Sequence, residues 1–216
     1  MKENFKLLPG RLPLARLLDR GQRQLEALVD SFLPRDFLLE AMLKDSVCAE
    51  IGVHQGKFSR MILDIVRPKK LHLIDPWKYE EGEMYKHALY GGVFGGCQVD
   101  MDKRYENVVK RFRSEIENGQ VVIHRGYSSE VCNDFEDNYF DWVYIDGNHL
   151  YEFVRKDLEL YYRKVKDGGL ITGDDYGYVG WRHVDVKKAV DDFVAKGFVK
   201  VIQIKNRQFI LSKGVP

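Results

Sequence analysis

The chain is poor in cysteine and has no excess of charge of either sign. Its 216 residues include three cysteines, Cys48, Cys97 and Cys132, in neither CxxC nor zinc-ligand spacing, which argues against a disulfide framework or a structural zinc site. Lys and Arg number 34 and Asp and Glu 33, so the charge gives no general reason to expect a nucleic acid or an anionic membrane as a partner. We therefore expect a reducing, cytoplasmic setting.

Long hydrophobic runs are also missing. No apolar run approaches the ~18 residues of a membrane span, and Pro9, Arg11, Pro13 and Arg16 interrupt the N-terminus before a signal-peptide core can form. Internal repeats and low-complexity tracts are absent from the sequence as well. The hydrophobic content of 44% is enough for a sizeable core, and the length predicts one globular domain with an appendage.

What the chain does have, from residue 46 onward, is an alternation of short apolar runs and helical patterns. Five runs are typical of buried strands: "SVCAEIG", "KKLHLID", "QVVIHRG", "FDWVYIDG" and "GGLITGDD". The alternation predicts βαβ units, and therefore a mostly parallel sheet with helices on both faces. The ending "FVKVIQIKNRQFILSK" predicts an antiparallel hairpin, because only a few polar residues join its two β-rich runs. The predicted fold is of the α/β class, with seven strands.

Two regions lie outside this alternation. Residues 1–44 contain "GQRQLEALVDSF" and "RDFLLEAMLK", which predict two amphipathic helices. We expect an N-terminal helical extension over 1–44, acting as a lid or simply packing, ahead of a main domain over 45–216. Residues 76–100 are too long for an ordinary connection. Their Tyr85, Tyr90 and Phe94 are candidates for closing over a substrate.

A glycine loop follows the first predicted strand, in "CAEIGVHQGKFS", where Glu50 ends the strand and Gly52 and Gly56 precede a helix. Glycines let the backbone turn sharply and approach a ligand closely. The ExGxxxG pattern differs from the GxGxxG of dinucleotide sites, which disfavours a nicotinamide cofactor. Asp75 ends the next strand about twenty residues further on, where an acid can accept hydrogen bonds from both ribose hydroxyls. Each loop alone is equally well explained as a tight turn, but together they favour a cofactor site.

These residues resemble the class I S-adenosylmethionine-dependent methyltransferases, over about residues 46–213. The resemblance implies a Rossmann-like fold and S-adenosylmethionine as the cofactor. It places Glu50, Gly52 and Gly56 beside the methionine part of the cofactor and Asp75 at its ribose. The segment "IHRGYSSEV" matches the stretch that flanks the adenine, which implies contacts from Tyr127 and Ser128, although many relatives carry a small or acidic residue in place of Tyr127.

The segment "IDGNHLYEFVRKDLELYYRKVKDGGLITGDDY" resembles a branch of macrocin-type and mycinamicin-type sugar O-methyltransferases and cephalosporin-biosynthesis relatives. The resemblance implies that Asp146, Asp174 and Asp175 hold Mg²⁺, that His149 is the base, and that Asp146 serves catalysis and the cofactor as well. Carboxylates suit a hard cation, and a hydroxyl bound to one gives its proton more easily to a neutral histidine. Asp174 stands where sugar-modifying relatives often carry Glu. The alternative is structural: "GDD" caps a turn, and Asp146–Gly147 is an ordinary bend.

Together these features predict a Mg²⁺-assisted O-methyltransferase acting on a hydroxyl of a sugar, glycoside or other secondary metabolite. One alternative is methylation of another nucleophile without a metal; for a nucleic acid base, the balanced charge and the lack of an NPPY-like motif argue against it. Another is a non-catalytic cofactor-binding module. The sequence identifies neither the acceptor nor the oligomeric state, and a homo-oligomer stays open.

Overall fold

The computed structural model describes residues 34–82, 85, 90–91, 96–177 and 184–214. The elements below belong to one compact unit, Arg35–Pro216. The first predicted helix of the extension and Phe94 lie outside the described residues. The second begins as a short helix, α1 (Asp36–Glu40), whose Leu38 and Leu39 are fully buried. An extension ending near residue 44 stays a prediction.

The strands form one seven-stranded sheet in the order β3-β2-β1-β4-β5-β7-β6. Strands β1 to β5 pair in parallel, while β7 is antiparallel to both β5 and β6. The prediction of a mostly parallel sheet that ends in an antiparallel hairpin is therefore confirmed. The strands are β1 (Val47–Ile51), β2 (Lys70–Asp75), β3 (Val121–Arg125), β4 (Phe140–Ile145), β5 (Val165–Gly173), β6 (Val199–Lys205) and β7 (Gln208–Lys213).

Helices connect the parallel strands. Helix α2 (Lys57–Met61) continues as a π-helical segment, Ile62–Val66, and α5 (Ser128–Val131) continues as a 3₁₀ turn, Cys132–Asp134. None of the helices in the described ranges has the length and apolar character that a membrane crossing requires. The remaining helices are α3 (Gln98–Arg111), α4 (Arg113–Glu117), α6 (Tyr151–Lys164) and α7 (Val184–Ala195).

The helices cover the sheet in two layers, each with its own buried cluster. One cluster joins the sheet to α6 and α7 through residues such as Leu158 and Phe193. The other joins it to α1, α2 and α3 through residues such as Leu38, Phe58 and Val108. Strands covered on both faces need apolar residues at consecutive positions, which is why their sequences are continuous apolar runs.

The strand order reverses direction between β1 and β4. Chain connections leave β1 toward β2 and β3 on one side, and β4 and β5 continue on the other. Ile51 is in register with Ile74 of β2 and with Ile145 of β4. In open α/β sheets, the crevice beyond the carboxyl ends of the strands at such a reversal is where ligands bind. The loops after β1, β2, β4 and β5 therefore border the place where a site is expected.

Candidate active site

A ladder of backbone hydrogen bonds brings the predicted site loops together at one edge of the sheet. The first residue after β1, β4 and β5 donates its N–H to the carbonyl at or near the end of a neighbouring strand. These bonds run from Gly52 to Ile74 at 2.9 Å, from Asp146 to Ile51 at 2.8 Å and from Asp174 to Ile145 at 3.2 Å. The three loops thus begin at the same level, at the carboxyl ends of adjacent strands.

The crevice holds a cavity of about 710 Å³, within the ~300–1,000 Å³ typical of small-molecule sites. Most of the residues that the sequence predicts for cofactor binding or catalysis line it. Tyr85 and Tyr90 of the long loop also lie on its wall. The predicted residues in the lining are Glu50, Gly52, Asp75, Tyr127, Ser128, Asp146 and His149.

Asp75 is buried, 1% exposed, and accepts four hydrogen bonds. Its carboxylate accepts hydrogen bonds from the backbone N–H groups of Val53 and His54 at 2.9 Å and of Trp77 at 2.7 Å. It also accepts one from the Tyr90 hydroxyl. Burial raises the pKa of Asp75, while these four bonds lower it. A carboxylate offers about four acceptor positions, so a ribose hydroxyl that binds here replaces one of the present donors.

Glu50 is the acid of the glycine loop, and it is buried, at 1% exposed. Its carboxyl group accepts a hydrogen bond from the Ser59 hydroxyl on α2. Burial raises the pKa of Glu50 well above its usual value, although the Ser59 bond lowers it. Burial therefore favours the neutral form of this group at the wall of the cavity.

The two glycines of the loop have different neighbours. Gly52 has φ of +91°, and a Cβ atom there would lie 2.0 Å from the carbonyl oxygen of Asp146, so the close approach of the two loops requires glycine. Gly56 has φ of +69° and packs against the ring of Phe112, 2.7 Å from where its Cβ would be. The structure gives Gly56 a turn and packing role at the start of α2.

His54, in the same loop, has a buried ring nitrogen. Its Nε2 atom has no hydrogen-bond partner among the described residues, although the side chain lines the cavity. Burial, with the charges of Arg104 and Lys57, lowers the pKa of His54 to about 4. The neutral ring therefore has a nitrogen available for a ligand.

The predicted adenine contacts lie at the start of α5. The Tyr127 hydroxyl donates to Glu80 and accepts from Lys78 at 2.7 Å. Ser128 donates its hydroxyl to Asp157 of α6 at 2.5 Å. Asp157 lines the cavity, is 5% exposed, and has its pKa raised to about 6 by burial. Asp157 is not predictable as a site residue, because an acid inside an amphipathic helix gives no signal of a site.

His149 lies between two of the predicted metal ligands. Its Nε2 is 3.3 Å from Oδ1 of Asp146, and its Nδ1 is 3.0 Å from Oδ2 of Asp175. Asp175 has φ of +60°, a conformation that few residues other than glycine adopt. Burial lowers the pKa of His149, but the hydrogen bonds to Asp146 and Asp175 outweigh it and the pKa lies well above 6.5. The two carboxylates therefore favour the protonated imidazole, in which one ring nitrogen faces each of them.

Arg35 completes this group of charges. Its Nη2 forms a close ion pair with Oδ2 of Asp174, and its Nη1 is 3.6 Å from Oδ2 of Asp146. Asp174 is 7% exposed. Burial and the charge of Asp146 raise the pKa of Asp174 to about 7, against the lowering effect of Arg35. We call Asp146, Asp174 and Asp175 the acid cluster.

The acid cluster does not have the arrangement of a magnesium site. Mg²⁺ needs oxygen ligands directed at one point in octahedral geometry. Here the Arg35 guanidinium contacts Asp146 and Asp174, and the His149 imidazole separates Asp146 from Asp175. Within the described part of the chain, no set of three or more His, Cys, Asp or Glu residues is arranged to hold a metal ion. The predicted magnesium site is thus not supported.

Comparison with known proteins identifies the family. A family profile described as a methyltransferase domain matches residues 49–176, from the glycine loop through the acid cluster. The chain belongs to this methyltransferase family. Residues 49–176 accordingly form an S-adenosylmethionine-dependent methyltransferase domain, as the resemblance of the glycine loop and Asp75 implies. Membership of the macrocin-type branch stays a prediction.

A curated relative and several solved structures are also similar. Over 153 residues the chain is 27% identical to an uncharacterised protein of Acanthamoeba polyphaga mimivirus; the match covers 70% of this chain and 60% of that protein. The methyltransferase therefore spans less than two thirds of that relative's length. The O-methyltransferase NovP is 20% identical, with a TM-score of 0.60, over 84% of this chain and 80% of NovP.

Two further structures share the fold along almost the whole chain. A candidate caffeoyl-CoA O-methyltransferase from Staphylococcus aureus is 16% identical with a TM-score of 0.54, over 95% of this chain and 93% of its own. A candidate S-adenosyl-L-methionine-dependent methyltransferase from Methanococcus maripaludis is 15% identical with a TM-score of 0.57, over 99% of this chain and 96% of its own. At these identities the likeness shows the fold alone, and it confirms the Rossmann-like prediction.

Proposed function

We propose that this methyltransferase transfers the methyl group of S-adenosylmethionine to a hydroxyl group of a small molecule, such as a sugar, a glycoside or another secondary metabolite. The observation that carries the proposal is the position of His149. Its imidazole lies between Asp146 and Asp175 and on the wall of the same cavity as the glycine loop. A histidine held by carboxylates beside a cofactor crevice is suited to accept a proton from an acceptor hydroxyl.

The proposed reaction is one displacement. The bond between the methyl carbon and sulfur breaks as the acceptor oxygen bonds to that carbon. The sulfonium becomes the neutral thioether of S-adenosylhomocysteine, and the hydroxyl proton passes to the base. Such a transfer depends mainly on holding oxygen, carbon and sulfur in line. No step passes through a metal ion.

His149 acts as the base in its neutral form. The hydrogen bonds to Asp146 and Asp175 raise its pKa, in opposition to burial, and so favour the imidazolium. A higher pKa also makes the neutral form a stronger base. The two carboxylates then stabilise the imidazolium that forms as the hydroxyl proton arrives.

The cavity supports a small acceptor. Its volume of about 710 Å³ has room for a cofactor and little more than a small molecule beside it. NovP and the staphylococcal structure are both described as O-methyltransferases, which agrees with oxygen as the nucleophile. The cytoplasmic setting and a homo-oligomer stay predictions.

The test is acceptor-dependent release of S-adenosylhomocysteine, measured with a panel of sugars, glycosides and phenols. We expect turnover with at least one hydroxyl acceptor. The His149→Gln variant should lose about 10²–10⁴-fold in kcat, the usual contribution of a general base, with an affinity for S-adenosylhomocysteine within about twofold of wild type by calorimetry. That unchanged affinity is the control that separates lost chemistry from lost folding.

Two outcomes point to the other functions. Turnover with amine or thiol acceptors that survives His149→Gln indicates methylation of another nucleophile. Cofactor binding without turnover on any acceptor indicates a non-catalytic cofactor-binding module. Either result rejects the O-methyltransferase proposal.

A further inference from the structure

Arg35 reaches the acid cluster from a distant part of the sequence. It immediately precedes α1, within the segment predicted as the N-terminal extension, and 109 residues separate it from Tyr144. Its Nη1 donates to the Tyr144 hydroxyl at 3.3 Å, and the guanidinium pairs with Asp174 and Asp146. One side chain thus contacts the ends of both β4 and β5.

The Arg35 side chain is held at this position on several sides. The guanidinium carbon lies 5.6 Å from the centre of the Phe58 ring, a distance at which a cation is attracted to the aromatic face. Its side chain is 27% exposed. Burial lowers the pKa of Arg35, but Tyr144 and the acid cluster outweigh this and raise it above the usual value. The group therefore stays charged.

The charges around the guanidinium explain why a cation is needed here. Three carboxylates lie close together, and two of them, Asp146 and Asp174, share Arg35. Like charges this near each other destabilise the ionised forms unless a cation lies between them. A planar guanidinium satisfies carboxylates with several directed donors. A divalent cation would have to displace it, because both would use the same oxygens.

We propose that Arg35 is the resident cation of the acid cluster, in the place of a divalent metal ion, and that it positions Asp146 and Asp174. Two consequences follow for cation binding. The wild-type protein binds divalent cations only weakly at the acid cluster, and removal of the guanidinium creates a site for them. The inference does not depend on the identity of the acceptor, since cation binding is measured without turnover.

The test is titration of the full chain with Mn²⁺ alone, with free Mn²⁺ followed by electron paramagnetic resonance. We expect wild type to bind Mn²⁺ only weakly, and Arg35→Gln to bind one equivalent at least about tenfold more tightly than wild type, the effect of a unit charge on a site within ~4–6 Å. Arg60→Gln is the matched control: it removes an arginine that pairs instead with Glu115, at 2.6 Å, and should leave Mn²⁺ binding unchanged.

Two more variants complete the design. Arg35→Lys keeps the positive charge and should still exclude Mn²⁺. In Arg35→Gln/Asp174→Asn the gained site should disappear, which assigns it to the acid cluster. Circular dichroism confirms folding of each variant.

Stoichiometric Mn²⁺ binding by wild type that Asp174→Asn abolishes would overturn the proposal, and this measurement stands even where an Arg35 variant fails to fold. A folded Arg35→Gln that gains no Mn²⁺ site would overturn it as well.

Discussion

A single carboxylate, Asp75, both shapes the loop after β1 and faces the cofactor cavity. Its three backbone donors come from two different loops, so Asp75 joins the residues after β1 to those after β2. The fourth donor, the Tyr90 hydroxyl, belongs to the long loop. Because Tyr90 is the only one of the four that is a side chain, it is the donor that a ribose can replace without moving the backbone.

The Asp75→Asn variant tests this double role. The amide nitrogen would face N–H donors and leave at least one of them unpaired, so we expect the free energy of unfolding to fall by about 2–3 kcal/mol. The affinity for S-adenosylhomocysteine should fall by about tenfold or more, since the loop and the ribose contact are both altered. Urea denaturation and calorimetry measure the two effects.

The control for Asp75→Asn is Asp64→Asn, because the Asp64 side chain is 62% exposed and pairs with Arg60, one turn earlier in the same helical region. It should change stability by less than about 1 kcal/mol. If Asp75→Asn behaves like this control, the carboxylate has neither role.

Individual site residues that lie in recognisable loop motifs can be predicted from the sequence. Residues that reach the site from other parts of the chain cannot. Asp75, Asp146 and His149 follow apolar strands, so their place at the edge of the sheet can be deduced. Arg35 cannot be found this way, because its partners are determined by how α1 packs. Asp157 lies within a regular helix, where only the fold shows that it is buried against Ser128.

Among the elements, the loops after β1 and β4 are in direct backbone contact. The Cβ position of Gly52 would lie 2.0 Å from the Asp146 carbonyl oxygen and 2.8 Å from Cα of Gly147. The glycine loop and the loop that carries His149 are therefore packed backbone to backbone. A side chain on the first displaces the second.

The Gly52→Ala variant should consequently damage both loops. We expect a loss of at least about 3 kcal/mol in the free energy of unfolding, from the positive φ and the clash together, and loss of measurable S-adenosylhomocysteine binding. Gly119→Ala is the matched control, with φ of +78° and no atom within 4 Å of its Cβ position. It should cost about 1–2 kcal/mol and leave binding intact. Equal losses in the two variants would show that the loop contact is unimportant.

The central strands are predictable because burial on both faces requires continuous apolar runs, and β1, β2 and β4 appear where those runs lie. The short link in "KVIQIKNRQFI" likewise indicates the β6–β7 hairpin. The sequence pattern does not show what each glycine packs against. The spacing does not distinguish Gly52 from Gly56, yet Gly52 lies against the backbone of another loop and Gly56 against the Phe112 ring. That difference depends on the packing of α2 and α3.

For the molecule as a whole, one buried acid links stability to pH. Asp157 on α6 lies between the Ser128 hydroxyl and the cavity, and burial raises its pKa to about 6 in the folded protein. In the unfolded chain the pKa of an aspartate is ~3.9. Between these values the folded state holds the proton more tightly, so the free energy of unfolding falls as the pH rises.

Asp157→Asn should flatten this part of the stability profile. Between about pH 4 and pH 6, the free energy of unfolding of wild type should fall by up to ~3 kcal/mol more than that of the variant. The reason is that a neutral amide accepts the Ser128 hydrogen bond at every pH. Urea denaturation across this range gives the measurement. Glu152→Gln on the same helix, where the side chain is 71% exposed, serves as the control and should follow wild type. A variant with the same slope as wild type would show that Asp157 does not have the raised pKa.

The backbone ladder at the sheet edge also sets limits on how the enzyme can be redesigned. Gly52, Asp146 and Asp174 are tied to neighbouring strands through main-chain bonds, so substitutions there disturb several loops at once. Tyr85, Asn148 and Phe153 line the same cavity and have no part in the ladder. A library aimed at new acceptors is therefore best confined to such positions, where the cavity can change shape while the cofactor half of the site keeps its geometry.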